Sequence, residues 1–167
     1  MKHYYLKQKV FSFRDRYKIY DEEQNLLYHV KGHYFSITHK MDFIDESNDA
    51  LLYQFRRKLL SFLPTYFMYD ELGDTIATVH RNWSFFTKKV SVTTKDKTYQ
   101  IEGTFYAHAF DILDQGTVVA SIKKRWISWG DTYEITIVDE SDEAFYLALV
   151  ILIDSIFHDN RSRSSHH

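Results

Sequence analysis

Apolar and polar positions alternate along most of the chain, and near its end the alternation stops. In YEITIV, Tyr133, Ile135 and Ile137 fall on one side, while Glu134 and Thr136 fall on the other. RYKIYD and TYQIEG repeat the pattern, pairing Tyr17 with Ile19 and Tyr99 with Ile101. A period of two predicts strands with one face in a core. From Ala144 through Ile153, by contrast, there is no charge, and the only hydroxyl is that of Tyr146.

The alternating segments are punctuated by a recurring phrase. YDEEQNLLYHV (20–30), IDESNDALLYQF (44–55), YDELGDTIATVH (69–80) and LDQGTVVASI (113–122) each place an Asp and polar residues before an apolar stretch. VDESDEAF (138–145) begins the same way and then enters the uncharged run. The leading aspartates, Asp21, Asp45, Asp70, Asp114 and Asp139, are spaced by 24, 25, 44 and 25 residues, and TTKDKTYQI around Asp96 divides the long gap. An Asp carboxylate accepts backbone N–H bonds two residues on, and Asn or Gly tolerates positive φ, so each phrase predicts a tight turn. Six turns at this spacing predict hairpins and about twelve strands.

The uncharged run predicts a helix. Ser141, Asp142 and Glu143 give it a polar, acidic start, and Leu, Ala and Ile fill its interior. It falls short of the roughly 20 residues that cross a bilayer, and Asp154 stands near its end. Its apolar residues occupy every side, so it has to be enclosed. In a chain otherwise made of hairpins, the enclosure is a closed antiparallel sheet. At 1.5 Å per residue, Ala144 to His158 spans roughly 22 Å, the length of a barrel interior. The expected fold is therefore mainly β: an about twelve-stranded closed antiparallel barrel around a buried hydrophobic C-terminal helix, with Phe145 to Phe157 enclosed.

Composition narrows the function more than it names it. The 167 residues are expected to form one domain over 1–160, with 161–167 a disordered tail or tag remnant. Aromatics reach 17%, which favours strands, and five glycines with one proline leave no long flexible linker. There is no cysteine, hence no disulfide, thiolate nucleophile or cysteine metal site. The N-terminus interrupts its apolar residues with Lys2, Lys7 and Lys9, unlike a signal peptide. A cytoplasmic location, without a transmembrane segment, is expected. A net charge of −2 gives no overall attraction to nucleic acid.

YYLKQKVFSFRDRYKIYDEEQNLLYHVKG, IEGTFYAHAFDI with Glu102, Gly103, Phe105 and Phe110, VASIKKRWISWGDTYEITI, and the enclosed helix ending DSIFHD together resemble the bacterial branch of the LURP-one-related family. The resemblance covers about residues 4–159. It implies the Tubby C-terminal fold, a twelve-stranded barrel around a hydrophobic helix. Tubby domains bind phosphoinositide headgroups through basic residues, and phospholipid scramblases are thought to share the fold. The Tubby lysine–arginine motif is absent here, so that site does not carry over to any residue of this chain.

Catalytic patterns are missing. No glycine lies in a Gly-x-Ser-x-Gly elbow or a phosphate loop; Gly32, Gly73, Gly103, Gly116 and Gly130 are isolated. His29 and His33, four residues apart on a strand, are roughly 13 Å apart, too far to share a metal. His80, His108 and His158 converge only if the fold brings them together. Trp126 and Trp129 are expected to pack at least one ring on the helix, with Gly130 and Asp131 turning the chain. No catalytic residue, metal or cofactor is expected.

The basic clusters carry the functional expectation. RRK (56–58), HR (80–81), KK (88–89) and KKR (123–125) stand out, and Arg56, Arg81, Lys124 and Lys31 each follow a repeat Asp by about ten residues. In a meander these strand ends gather on one rim and the acidic turns on the other. Arg56 with Lys58, and Lys123 with Arg125, are the expected headgroup-binding residues. They suit anionic phospholipid, where each basic residue near the headgroups contributes roughly 1 kcal/mol. Neutralising all four is expected to leave stability nearly unchanged, because exposed charges contribute little. The expected function is a non-enzymatic binding or scaffold module, docking reversibly on anionic phospholipid at the membrane periphery. The alternatives are a small-ligand carrier or enzyme with a groove at the barrel rim, and a protein-partner regulator.

Overall fold

The computed structural model describes residues 1–8, 15–33, 39–59, 65–83, 88–104, 109–127 and 130–164, and the statements below concern these. Side chains are described for them except residues 8, 15, 16, 82, 83, 88, 89, 126, 127, 130, 131 and 158–164.

Twelve strands follow in order: β1 (Lys2–Gln8), β2 (Asp15–Tyr20), β3 (Leu26–Gly32), β4 (Met41–Asp45), β5 (Ala50–Arg57) and β6 (Thr65–Tyr69), then β7 (Thr75–Trp83), β8 (Lys88–Thr94), β9 (Thr98–Thr104), β10 (Ala109–Asp114), β11 (Thr117–Ile127) and β12 (Gly130–Ile137). A single 3-10 turn, Glu140–Asp142, leads into helix α1 (Glu143–Ser164). Each strand pairs antiparallel with its sequence neighbours, and β1 pairs with β12, so the meander closes into a barrel. Closure leaves no strand edge exposed. Gly130 and Asp131 pair with Ile127 and Trp126, so they begin β12 and do not make the turn expected of them.

The period-two pattern becomes an interior girdle to which every strand contributes. Leu6, Ile19, Val30, Phe43, Phe55, Met68, Val79, Val92, Ile101, Ile112, Ile122 and Ile135 come from β1 to β12 in order and are buried. Register joins them across strands, as in Leu6 with Ile19, Val79 with Val92, and Ile122 with Ile135. Twelve strands spaced about 4.8 Å apart make a ring on the order of 20 Å across. Such a ring admits one helix, whose diameter with side chains is about 10–12 Å.

α1 fills that space. Every residue from Phe145 to Ile156 is at most 8% exposed, and Phe157 is half-buried. A helix covered on all sides by a closed sheet lies inside it. Its contacts come from around the ring: Phe145 meets Tyr53 of β5 and Tyr99 of β9, and Phe157 lies under Arg81 of β7. Among the described residues, no helix is long and apolar enough to cross a membrane.

Four of the six turn aspartates bind turn amides as their chemistry predicts, while Thr94 closes the turn around Asp96. Asp45, Asp70 and Asp139 each accept the N–H two residues on, from Ser47, Leu72 and Ser141, at 2.8, 3.0 and 3.0 Å. Asp21 also bonds the Glu23 amide and reaches four residues ahead to the Asn25 amide at 2.7 Å. Positive φ falls on Gly73 and Gly116 but also on Gln24, Asp49 and Gln115. The sixth turn, at Asp139, opens the helix instead of a hairpin. Asp139 also accepts a hydrogen bond from the Tyr146 hydroxyl at 2.9 Å.

The first strand is latched to the helix start. Glu143 accepts hydrogen bonds from the Lys2 ammonium and the Tyr4 hydroxyl, while the N-terminal amine pairs with Glu140. Burial would raise the Glu143 pKa, but the bonds from Lys2 and Tyr4 outweigh it and hold the carboxyl below its ordinary 4.5. A depressed folded-state value means that this stabilisation is present above pH 4.5 and fades as pH falls through the lower folded value.

Three outcomes test this architecture. Leu149→Asp places an unpaired charge in the barrel centre and costs on the order of 5 kcal/mol, against about 3 kcal/mol for Leu149→Ala, both measured by denaturant unfolding. At Gly103, φ is +150° and an added Cβ would meet Ala109 O at 2.3 Å and the Phe110 Cα at 2.5 Å. Gly103→Ala therefore lowers stability by at least about 2 kcal/mol in the same assay. Glu143→Gln costs on the order of 1 kcal/mol or less at neutral pH. Its gap from the wild type closes as pH drops below 4.5, and a gap that stays constant down to acid pH contradicts the latch.

Candidate functional site: the basic end of the barrel

Strands β3, β5, β7, β9 and β11 all run away from the Asp turns, because the meander alternates direction at every connection. Arg56 and Lys58 lie at the far end of β5, and Lys123 and Arg125 lie four and two residues before the far end of β11. β10 pairing runs out where Ile122 meets Phe110, so the KKR run extends past that ladder. All four side chains are exposed. The fold thus sends the two pairs to one end of the barrel and sets them on opposite walls. β5 and β11 are six strands apart whichever way the twelve-strand ring is counted.

The two pairs differ electrostatically. On β5, Arg56 donates from Nε and Nη2 to the Gln54 side-chain oxygen Oε1 at 3.0 and 2.7 Å and lies 5.6 Å from the Tyr69 ring centre. Gln54 in turn donates to Asp42 at 2.8 Å, and Asp42 meets His33 Nε2 at 2.6 Å. The Arg56 guanidinium is therefore oriented without being neutralised. Lys58 is exposed, and its backbone N–H continues the ladder to Thr65 at 2.8 Å.

On β11, both cations converge on one acid. Arg125 Nε lies 2.7 Å from Glu134 and Lys123 Nζ lies 3.7 Å from it, while His3 Nδ1 approaches to 3.6 Å. Glu134 is only 5% exposed although it faces outward, because these side chains cover it. Its hydrogen bond and charge raise the Arg125 pKa further. The β11 pair thus presents one net positive charge, where the β5 pair presents two. Neutralising Lys123 and Arg125 would strand a buried carboxylate, so the expectation that all four charges are dispensable for stability does not hold. Opposition of Lys123 and Glu134 across the β11–β12 ladder was the available signal, and it needed the register.

Arg81 does not join this rim. It follows Ala77 and Val79 on the inward face of β7, is 6% exposed, and sits 5.2 Å over Phe157, with burial lowering its pKa. Lys31 and Lys124 are exposed, and Lys88 and Lys89 lie on β8 with side chains outside the described set.

The histidines hold separate partners. His29 Nδ1 meets Glu46 at 2.5 Å, and His33 meets Asp42. His80 is exposed, whereas His108 and the side chain of His158 fall outside the described residues, as do Trp129 and the Trp126 ring. Among the described residues, no three His, Asp or Glu side chains are grouped to hold a metal ion.

Similar proteins agree with this architecture. Over 160 residues the chain is 30% identical to the uncharacterised protein YxjI of Bacillus subtilis (strain 168), covering 96% of each. The X-ray structure of a protein from Arabidopsis thaliana superposes with a TM-score of 0.67 at 19% identity, over 93% of this chain and 90% of that one, a likeness of fold. Neither points to a catalytic family. The sequence also matches the LURP-one-related family over residues 2–154, and the chain belongs to that family.

Proposed function

We propose that the chain is a non-enzymatic binding module that docks its basic end reversibly on anionic phospholipid headgroups. One observation carries the reading: two cationic pairs lie on strands that run to the same end, on opposite walls of the barrel. They are on the order of 20 Å apart. That exceeds the roughly 8 Å screening length at physiological ionic strength, so the pairs do not act as one patch on a small anion. An extended anionic plane engages both. Their three net charges, at roughly fivefold each, give about a hundredfold preference for such a surface. That is weak enough to be reversible.

The acidic turns at the opposite end favour one orientation, with the basic end facing the membrane. The family's resemblance to Tubby domains, which hold phosphoinositide headgroups, supports the reading at the level of fold. The protein would then be peripheral to the membrane, on the anionic cytoplasmic leaflet.

Liposome co-sedimentation tests this. The wild type is expected to sediment with phosphatidylcholine vesicles containing phosphatidylglycerol, not with phosphatidylcholine alone, and to release as salt rises. Arg56→Gln, Lys58→Gln, Lys123→Gln and Arg125→Gln are combined with Glu134→Gln, so that no buried acid is left unpaired; this variant should stay in the supernatant. Without Glu134→Gln, the fourfold variant loses on the order of 2 kcal/mol of stability. A wild type that ignores anionic vesicles even at low salt ends the lipid reading.

A further inference from the structure

The end of the barrel opposite the basic rim holds a cavity of about 590 Å³, set between the β6–β7 turn, the β8–β9 turn and the start of α1. We propose that it is a binding site for a small organic ammonium ion with an apolar body. The inference is independent of lipid docking, since it uses other residues at the other end.

The volume lies within the range of about 300–1,000 Å³ typical of small-molecule pockets. Its floor is apolar: Tyr53, Ile76, Tyr99 and Phe145 line it. Tyr53 and Tyr99 both pack against Phe145, with ring centres 6.5 and 6.2 Å away, so the floor is fixed by the plugged end of the barrel. A neighbouring groove of about 250 Å³ shares Tyr53 and Asp70 and leads to Leu52 and Leu72. Leu72 is 81% exposed, and an apolar body extending along the groove would cover it.

The walls carry the opposite chemistry. Asp70, Asp96 and Asp142 line the cavity together with Lys95 and Lys97. Lys97 is committed to Asp114 at 2.6 Å. Asp70 uses Oδ1 to hold the Leu72 and Asp74 amides, and Asp142 uses Oδ1 for the Phe145 amide at 3.2 Å, which leaves Oδ2 of each for a ligand. Three carboxylates thus face one uncommitted ammonium, Lys95.

The helix start would otherwise attract an anion. Here Asp139 holds the Ser141 amide and Asp142 the Phe145 amide, and Glu143 adds a carboxylate to the first turn, so the local field favours a cation. The Tyr53 hydroxyl lies in the same field: burial first, then Asp142, Tyr28 and Asp70, push its pKa up to about 12. Asp70 and Asp142 line the same cavity as the Tyr53 ring. A primary ammonium there pairs with Asp70 and Asp142 and donates to the Tyr53 oxygen.

The test titrates the full chain with 2-phenylethylammonium at low salt, followed by amide NMR shifts. Uncharged 2-phenylethanol and anionic 3-phenylpropionate are run in parallel. Saturable shifts are expected at Leu72–Thr75, Lys95–Lys97 and Ser141–Tyr146 with the ammonium. Asp70→Asn with Asp142→Asn keeps an acceptor oxygen in each turn and should weaken binding about tenfold, each partly exposed charge contact contributing up to about fivefold. Lys95→Gln removes the competing cation and should tighten binding, an outcome that damage to the fold cannot mimic. The proposal is overturned if the ammonium gives no saturable shift, if the alcohol binds as well, or if the carboxylate binds better.

Discussion

The structure depends on a helix that has no polar face. Ten successive residues from Ala144 bear no charge, and a helix so uniformly apolar is tolerated in water only if every side is covered. An open sheet covers one side and two stacked sheets cover two; a closed sheet covers all of them. Closure needs β1 to return to β12, which it does with Tyr4 opposite Ile135. The helix therefore sets the circumference of the strands around it. The twelve inward girdle residues exist to meet it, and the latch from Lys2 and Tyr4 to Glu143 ties the closing strand to the helix start.

Closure by a simple meander also separates charge. Alternate connections fall on alternate ends, so a turn type that recurs every second connection collects on one end. The Asp phrases do this because a short-looped hairpin benefits from a carboxylate that holds backbone amides. Basic residues about ten positions later are carried to the other end by strand length alone. A chain with net charge −2 thereby acquires an acidic end and a basic end. Each end carries a charge that the net value would not suggest.

The two ends differ in how they hold their charges. At the basic end, Arg56 is steered by a neutral acceptor and keeps its full charge, while Lys123 and Arg125 share the cost of burying Glu134. At the acidic end, Asp70 and Asp139 spend one oxygen on their own turns, and Asp139 accepts the Tyr146 hydroxyl with the other. One aspartate can hold a turn and a second partner because the carboxylate has two oxygens and several lone pairs.

Local periodicity carries the strands, the turns and the helix, because each depends on residues close together in sequence. Alternation around Tyr17, Tyr99 and Ile135 marks strands, Asp with a small or polar follower marks turns, and an uncharged run too short for a bilayer marks an enclosed helix. From these the barrel follows, since no other arrangement of hairpins covers such a helix. What sequence could not decide is which outward residues face each other. Glu134 reads as a solvated strand position until register sets it beside Lys123 and under Arg125. Arg81 reads as a rim cation although its alternation with Ala77 and Val79 already marks it as inward, and only the closed ring sets it over Phe157. The placement of Arg56 opposite Arg125 depends on the strand count of the ring, and the acidic cavity depends on three connections meeting at the helix start. Those are long-range properties, fixed when the ring closes and the side chains across it come within contact distance.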